Sequence, residues 1–399
     1  MTPVGAPWLR RLLWSAVFAV AMLAHGACSE PLVFPDWTIP VPEGTRIVEY
    51  AGVTDEDREG NCVEVLEDLV IAPRGDDDNY AFYRPATVLA DSAGRIYVLD
   101  GGNARIQIFD ANGEYLRTLG QAGSGPREFR AQGTALVTVR TIIAADRLIA
   151  YDMTQSRTSI WDADGTHEAD HAVTGIRIGP MLAGLADGTF ITVTTQRTAD
   201  VSHRVVVAVS EAGEPQREYV SLPQPGGLRV GNFNFSSPEG APVFAAGADG
   251  TVYASAGDEY QVLAVGPDGE ADWALRVAHE RKPFTEDDRA RMLDVVTRTS
   301  PGTDTSDAEW PTHFGAISRL DVDGHGHLFV FGFQPPFAPV PEQVAVDVYA
   351  PDGQRLCTGT MPPLRWTAAA GDFIYSVRRD EETGENEPIR YRLVELFGR

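Results

Sequence analysis

The chain has 399 residues, 43% of them hydrophobic and 23% charged, the composition of an ordinary globular protein. Its formal net charge of −24 repels phosphate backbones and excludes nucleic acid as an expected partner. Length alone suggests roughly two or three domains, but an internal repeat argues instead for one closed unit.

Arg10 and Arg11 precede a short apolar run, Leu12 to Ala24, and small residues follow at Gly26 and Ala27. This is the pattern of a secretory signal peptide, expected over residues 1–27. The run falls short of the roughly 20 apolar residues a membrane span needs. Cys28, followed by Ser29-Glu30-Pro31, looks like the start of a bacterial lipoprotein, whose cysteine is lipidated. His25, however, stands where such signals usually carry an aliphatic residue, and the other reading is a plain soluble exported protein. Residues 28–45 hold Pro31, Pro35, Pro40 and Pro42 and suit a tether. The folded domain is expected over 46–399.

Residues 63–72, VEVLEDLVIA, read as a strand. A blade follows. ATVLAD (86–91) is strand a, RIYVLD (95–100) strand b, RIQIFD (105–110) strand c and EYLRTLG (114–120) strand d. Alternation and β-branched content favour strands, and Asn112-Gly113 is a hairpin-turn signal. The stretch 98–113, VLDGGNARIQIFDANG, aligns without a gap on 150–165, AYDMTQSRTSIWDADG, at an offset of 52 residues. Asp100 falls on Asp152 and Arg105 on Arg157. A repeat of roughly 40–50 residues rich in strand and turn residues marks a β-propeller.

GRIYVLDGGNARIQIFDANGEYLRTLG, followed by GSGPREF at 123–129, resembles an NHL repeat of the exported six-bladed propellers of bacteria. The resemblance is strong over about residues 80–130. It implies that the Asp ending strand b and the Arg opening strand c hold the blade together: Asp100 with Arg105, and Asp152 with Arg157. Charge pairing across a hairpin supports the same assignment.

Later blades diverge. Blade 3 has GTFITV and RVVVAVSEAGE, blade 4 GTVYAS and YQVLAVGPDGE, blade 5 GHLFVFG and VAVDVYAPDGQ, blade 6 DFIYSV and IRYRLVEL. The last blade lacks an outer strand, which residues 63–72 would supply, closing the ring. Thr285 as N-cap, with Asp288 three residues later, predicts a helix through Val296, stopped by Ser300-Pro301-Gly302. It lies in an insertion over about 278–312. Cys62 and Cys357 could pair in an oxidising compartment, but two unpaired thiols is the preferred reading, since their proximity depends on how the blades meet.

The a–b and c–d turns are short and share one face. The b–c loops and d–a connections are long and share the other, where binding usually collects. Candidate binding residues there are Arg127, Phe129, Phe233, Phe235, Trp310 and His313, a mix of arginine and aromatics typical of recognition hot spots. The competing reading is that these aromatics plug the channel mouth or pack beneath the insertion. Metal signals are weak. His325 and His327 fall on a tight a–b turn with no partner indicated. Asp321-Val322-Asp323-Gly324 and Asp162-Ala163-Asp164-Gly165 resemble fragments of calcium loops without the downstream Glu. No nucleophile motif appears, and no catalytic or metal residue is assigned.

The expectation is therefore an all-β, six-bladed propeller closed by an N-terminal strand, exported to the bacterial periplasm or outer envelope and monomeric. It is expected to bind an envelope protein, peptide or glycan through its long-loop face, not to be an enzyme, and to touch a membrane only through an anchor at Cys28. The alternative is a lactone hydrolase or lyase with a metal, such as calcium, in the channel. Side chains of His, Asp, Glu or Asn converging at one end of the channel would favour that alternative.

Overall fold

Runs such as IYVLD (96–100) and LIAYD (148–152) are buried at every position, because each strand is covered on both faces by neighbouring sheets. Six antiparallel sheets, one per blade, carry these runs. The computed structural model describes residues 34–52, 58, 60–132, 136–198, 201–335, 338–380 and 384–397. The expected signal peptide and Cys28 lie outside them.

Strands a to d of blade 1 are Pro85–Ala90, Ile96–Asp100, Arg105–Phe109 and Tyr115–Leu119. Blade 2 has Val139–Ala144, Arg147–Asp152, Arg157–Trp161 and His167–Ala172. Blade 3 has Met181–Gly184, Phe190–Arg197, Ser202–Val209 and Pro215–Gln224. Blade 4 has Val243–Ala246, Val252–Ser255, Gln261–Val265 and Ala271–Val277. Blade 5 has Ile317–Val322, Leu328–Gly332, Val344–Tyr349 and Arg355–Met361. Blade 6 has Ala368–Ala370, Phe373–Arg379 and Asn386–Glu395 as a to c, and Val63–Val70 as d.

That last pairing closes the ring. It is antiparallel, from Val63 opposite Glu395 to Val70 opposite Ile389. Each interface between neighbouring blades holds its own apolar core. Ile96 and Val98 face blade 6 while Tyr97 and Leu99 face blade 2, the alternation a pleated strand imposes. At the c–d turn of blade 1, Asp110 Oδ1 accepts from the backbone N–H groups of Asn112 and Glu114, and Gly113 supplies the positive φ of 81°.

Two features were not expected from the sequence. Arg46–Tyr50 adds to blade 4 as a fifth, parallel strand, with Arg46 opposite Trp273. Upstream of it, Ile39 is buried against blades 3 and 4, and the Gln261 amide holds the backbone at Asp36 and Thr38.

Cys62 and Cys357 form a disulfide with Cα atoms 5.7 Å apart. This corrects the preference for two unpaired thiols. Cys62 stands just before the closing strand of blade 6 and Cys357 lies on strand d of blade 5, so ring closure brings them together. It also corrects the partner expectation on the membrane side to this extent: neither Cys62 nor Cys357 can carry an anchor, while Cys28 lies outside the described residues. An anchor cysteine must be a free thiol, and the bridge consumes both cysteines among the described residues.

Asp100 is fully buried. It accepts from Tyr83 N at 2.8 Å, Asn103 Nδ2 at 2.7 Å and Arg105 Nε at 2.9 Å. Blade 2 is wired differently. Asp152 and Arg157 stand opposite one another in register, but Asp152 accepts from Arg130 N, Thr154 N and the Gln155 amide, and Arg157 Nη2 donates to Glu128 O. Arg105→Ala should therefore lower stability by about 1–3 kcal/mol, because a buried carboxylate loses its counter-charge. Arg157→Ala should leave Asp152 satisfied and cost less. Urea unfolding of the two variants checks this, and equal losses would count against it.

The helix spans Glu286–Thr299. Thr285 caps it, with Asp288 Oδ2 accepting from Thr285 N at 2.9 Å and Thr285 Oγ1 from Asp288 N at 3.3 Å. Its buried face, Met292 and Val296, packs on the hairpin Leu228–Val230 and Phe233–Phe235.

Candidate functional site

The innermost strands of all six blades enclose an axial cavity of about 660 Å³. Its wall is largely small and aliphatic: Leu89, Ile142, Ala183, Ala245 and Ala369 contribute. The polar groups gather where strands a run into their a–b turns, at Asp91, Asp249, Asp321, Asp323 and His325. The cavity thus belongs to the short-turn half of the channel.

The a–b turn of blade 5 is the richest part of this rim. Asp323 Oδ1 accepts from His325 N at 2.9 Å and His327 N at 2.8 Å, folding the chain tightly around the carboxylate. Gly324 permits the close approach of this turn to the backbone of Gly371 in blade 6, where any Cβ would collide. Blade 6 then supplies an acid to each histidine. His325 Nε2 lies 2.8 Å from Asp372 Oδ1. His327 Nδ1 lies 3.0 Å from Asp323 Oδ2 and 2.8 Å from Glu395 Oε1.

One ring nitrogen carries at most one proton, so Nδ1 makes a well-aligned bond to only one of the two carboxylates. The aligned bond goes to Asp323, and Glu395 Oε1 remains buried without a hydrogen-bond partner. The bond from Asp323 raises the His327 pKa despite the opposing effect of burial, and the charges of Asp323 and Glu395 add to it. The three ligand atoms lie within 4.8 Å of one another. A divalent cation among them would satisfy both carboxylates at once, so the residues fit one. An imidazole with two carboxylates suits a cation of the zinc or manganese kind.

Blade 1 makes the contrast plain. There Asp91 occupies the same turn position, accepting from Ala93 N, Arg95 N and Arg95 Nε. Arg95 stands where His327 stands in blade 5. A guanidinium is permanently protonated and holds no metal, whereas an imidazole can release its proton and offer a lone pair.

Asp321 shares the cavity wall, two residues before Asp323. Burial pushes its carboxyl up to about 6, against the pull of Arg319 and Arg365. Arg319 Nε is 2.9 Å away.

Asp91, Asp249, Asp321, Asp323 and His325 line one end of the channel, the arrangement set out above for an enzyme, and Asp323 joins that rim to His327 and Glu395, which are not among the lining residues. The expectation that the chain is not an enzyme is corrected on this ground: a candidate metal-ligand group adjoins an acid-bearing cavity. The sequence placed His325 and His327 on their turn but offered them no partner. The available signal was Asp323-x-x-x-His327 in place of Asp91-x-x-x-Arg95.

The six candidate binding residues are dispersed. Phe129 is 1% exposed and packs on Trp161. Phe233, Phe235 and Trp310 join the small core beneath the helix, with Trp310 stacked on Phe284. His313 is half-buried and Arg127 exposed. Arg127 also has a positive φ of 62°.

A family model described as a 6-bladed beta-propeller, DUF5128, matches residues 61–168. The match supports a six-bladed propeller and not specifically the NHL-repeat family that the first blade resembles. No curated protein matches the sequence. A "putative exported protein" of Bacteroides fragilis is 15% identical, with a TM-score of 0.50 over 88% of this chain and 99% of that one. A member of the DUF4221 family from Bacteroides vulgatus is 12% identical, with a TM-score of 0.46 over 84% and 98%. Virginiamycin B lyase from Staphylococcus aureus is 9% identical, with a TM-score of 0.38 over 84% and 100%. What the family match and the Bacteroides fragilis likeness establish for this chain is the six-bladed propeller fold.

Proposed function

We propose that the protein is an exported, metal-dependent hydrolase or lyase that acts on a small molecule at the short-turn end of its channel. The observation that carries this reading is the grouping of Asp323, His327 and Glu395, with Glu395 Oε1 buried and unpartnered, beside a cavity of about 660 Å³. That volume is in the range of small-molecule sites. Asp323, His327 and Glu395 would hold the cation, which supplies Lewis-acid polarisation of a substrate carbonyl or ester oxygen. Asp321 faces the same cavity and is the group that takes or gives a proton. The leader at residues 1–27 and the Cys62–Cys357 bridge support a location in an oxidising compartment, the periplasm or outer envelope.

Metal analysis tests the reading. Protein stripped with chelator and dialysed against zinc, manganese or calcium should retain one divalent cation per chain. Loss of even a group behind a ligand weakens metal affinity about 10–100-fold, so His327→Ala and Glu395→Gln should each cost at least that much. Circular dichroism would verify that both variants fold. A wild-type chain that retains no divalent cation, or variants that bind as tightly as wild type, would sink the proposal.

A further inference from the structure

Glu395 is held beside His327 by a short piece of sheet. Strand b of blade 6 starts at Phe373, opposite Arg392, and Leu393 N donates to Asp372 O at 2.7 Å. Beyond that point the last strand has lost its inner neighbour. Among the described residues, Val394, Glu395 and Leu396 find backbone partners only in the closing segment. Val394 stands opposite Glu64 and Glu395 opposite Val63, and Leu396 N donates to Cys62 O at 3.0 Å. Phe397 follows, edge-on to the His327 ring with centroids 5.5 Å apart, and packs in the same apolar cluster as Cys62 and Val63.

The closing segment is in turn sewn to blade 5. Cys62 is bonded to Cys357 on strand d of that blade, Cys62 N donates to Thr360 O, and Thr360 N donates to Gly60 O, both at 3.2 Å. Asp323 and His327 come from the a–b turn of blade 5 and Glu395 from blade 6, so the bridge cross-links the two sources of the ligand group. It does so through Cys62, whose carbonyl holds the residue after Glu395. Without the bond, the segment keeps only hydrogen bonds of modest net worth at the end of a sheet, where strands fray. Two thiol sulfurs also need more room than two bonded ones. Cys62 is fully buried, so in a close-packed interior reduction pushes the segment off blade 5.

We propose that the Cys62–Cys357 bridge is a redox clasp on the metal site, positioning Glu395 in the oxidised chain and releasing it in the reduced one. The inference rests on the metal reading of Asp323, His327 and Glu395. The reductant is a dithiol. Cys357 is the half-buried member of the pair and Cys62 the fully buried one, so a thiolate of the dithiol attacks the Cys357 sulfur. The S–S bond breaks, and Cys62 leaves as a thiolate and takes up a proton. The second thiol of the reductant then displaces Cys357, which takes up the other proton. The dithiol ends as a disulfide, two electrons and two protons having passed to the chain. The site thus holds its cation in an oxidising compartment and gives it up in a reducing one.

Two measurements on the full chain test it. In metal-free wild type held in chelator, amide hydrogen exchange is followed by mass spectrometry with and without dithiothreitol. Reduction should speed exchange about tenfold or more at residues 60–64 and 394–397 and leave blade 2 unchanged. Unchanged exchange at the clasp, or exchange quickened throughout the ring, overturns the proposal. The second measurement compares the affinity of wild type and of the Cys62→Ser/Cys357→Ser variant for zinc or manganese. The variant should bind about 10–100-fold more weakly, as for loss of a group that orients a ligand. Because the bridge acts through Glu395, Glu395→Gln should cost less affinity in the variant than in wild type. A wild type that retains no cation sinks the metal reading and the clasp with it. A wild type that binds, beside a variant that binds as tightly or loses affinity additively with Glu395→Gln, sinks the clasp alone. The exchange measurement needs only wild type, so it decides the matter even where the variant fails to fold.

Discussion

Deleting residues 61–71 should turn the protein into an aggregating species, and breaking the Cys62–Cys357 bridge alone should lower its stability by roughly 3–5 kcal/mol. The deletion leaves blade 6 with three strands, so Asn386–Glu395 becomes an open edge with unpaired backbone groups. It also strips Val63 and Ile71 from the apolar cores on either side of blade 6. The bridge acts in the unfolded state. It spans 295 residues of sequence, and the loop entropy withheld from the unfolded chain grows with loop length. In the native state it fastens the closing strand to blade 5, where Cys62 N also donates to Thr360 O at 3.2 Å. Urea unfolding of the Cys62→Ser/Cys357→Ser double variant, beside wild type with and without reductant, measures the second effect. Identical midpoints would refute it, and a soluble, cooperatively unfolding deletion would refute the first.

Asp321 should make the metal-free fold less stable as pH rises from about 4 to 6. Its carboxyl is raised from 3.8 to about 6 in the folded protein. Over that interval the native state binds the proton more tightly than the unfolded state, so each rise in pH favours unfolding. The displacement of about two pH units corresponds to roughly 2–3 kcal/mol. Below about pH 4 both states hold the proton, and above about 6 neither does, so the slope vanishes at both ends. His327, also raised, adds a loss of the same sign at higher pH, as its proton leaves. Carboxylates held below their ordinary value, such as Asp170 and Asp288, act in the opposite sense at lower pH. The useful quantity is therefore the difference between wild type and Asp321→Asn, both kept in chelator. That difference should change between pH 4 and 6 and be flat from 6 to 7. A flat difference throughout would show that Asp321 titrates normally.

The sequence by itself determined the blades, the capped helix and the strand that closes the ring. Each is written locally: alternating or continuous apolar runs of strand length, Asp-Gly and Asn-Gly turns, Thr285 with Asp288. Closure also followed from counting, because a last blade short of one strand must find it elsewhere. Tertiary structure decided what depends on meetings between distant residues. His327 sits 68 positions before Glu395, and nothing in either neighbourhood announces the other; they meet because the a–b turn of blade 5 abuts the end of strand c in blade 6. Cys62 and Cys357 pair for the same reason. The identical Asp-and-Arg spacing in blades 1 and 2 likewise gave no sign that Asp100 would bond Arg105 while Asp152 takes its donors from Arg130, Thr154 and Gln155. Local patterns settle which backbone forms, since backbone hydrogen bonds and turn dihedrals are short-range. Which carboxylate answers which cation is settled by the ring, since a side chain pairs with whatever the neighbouring blade brings within about 3 Å.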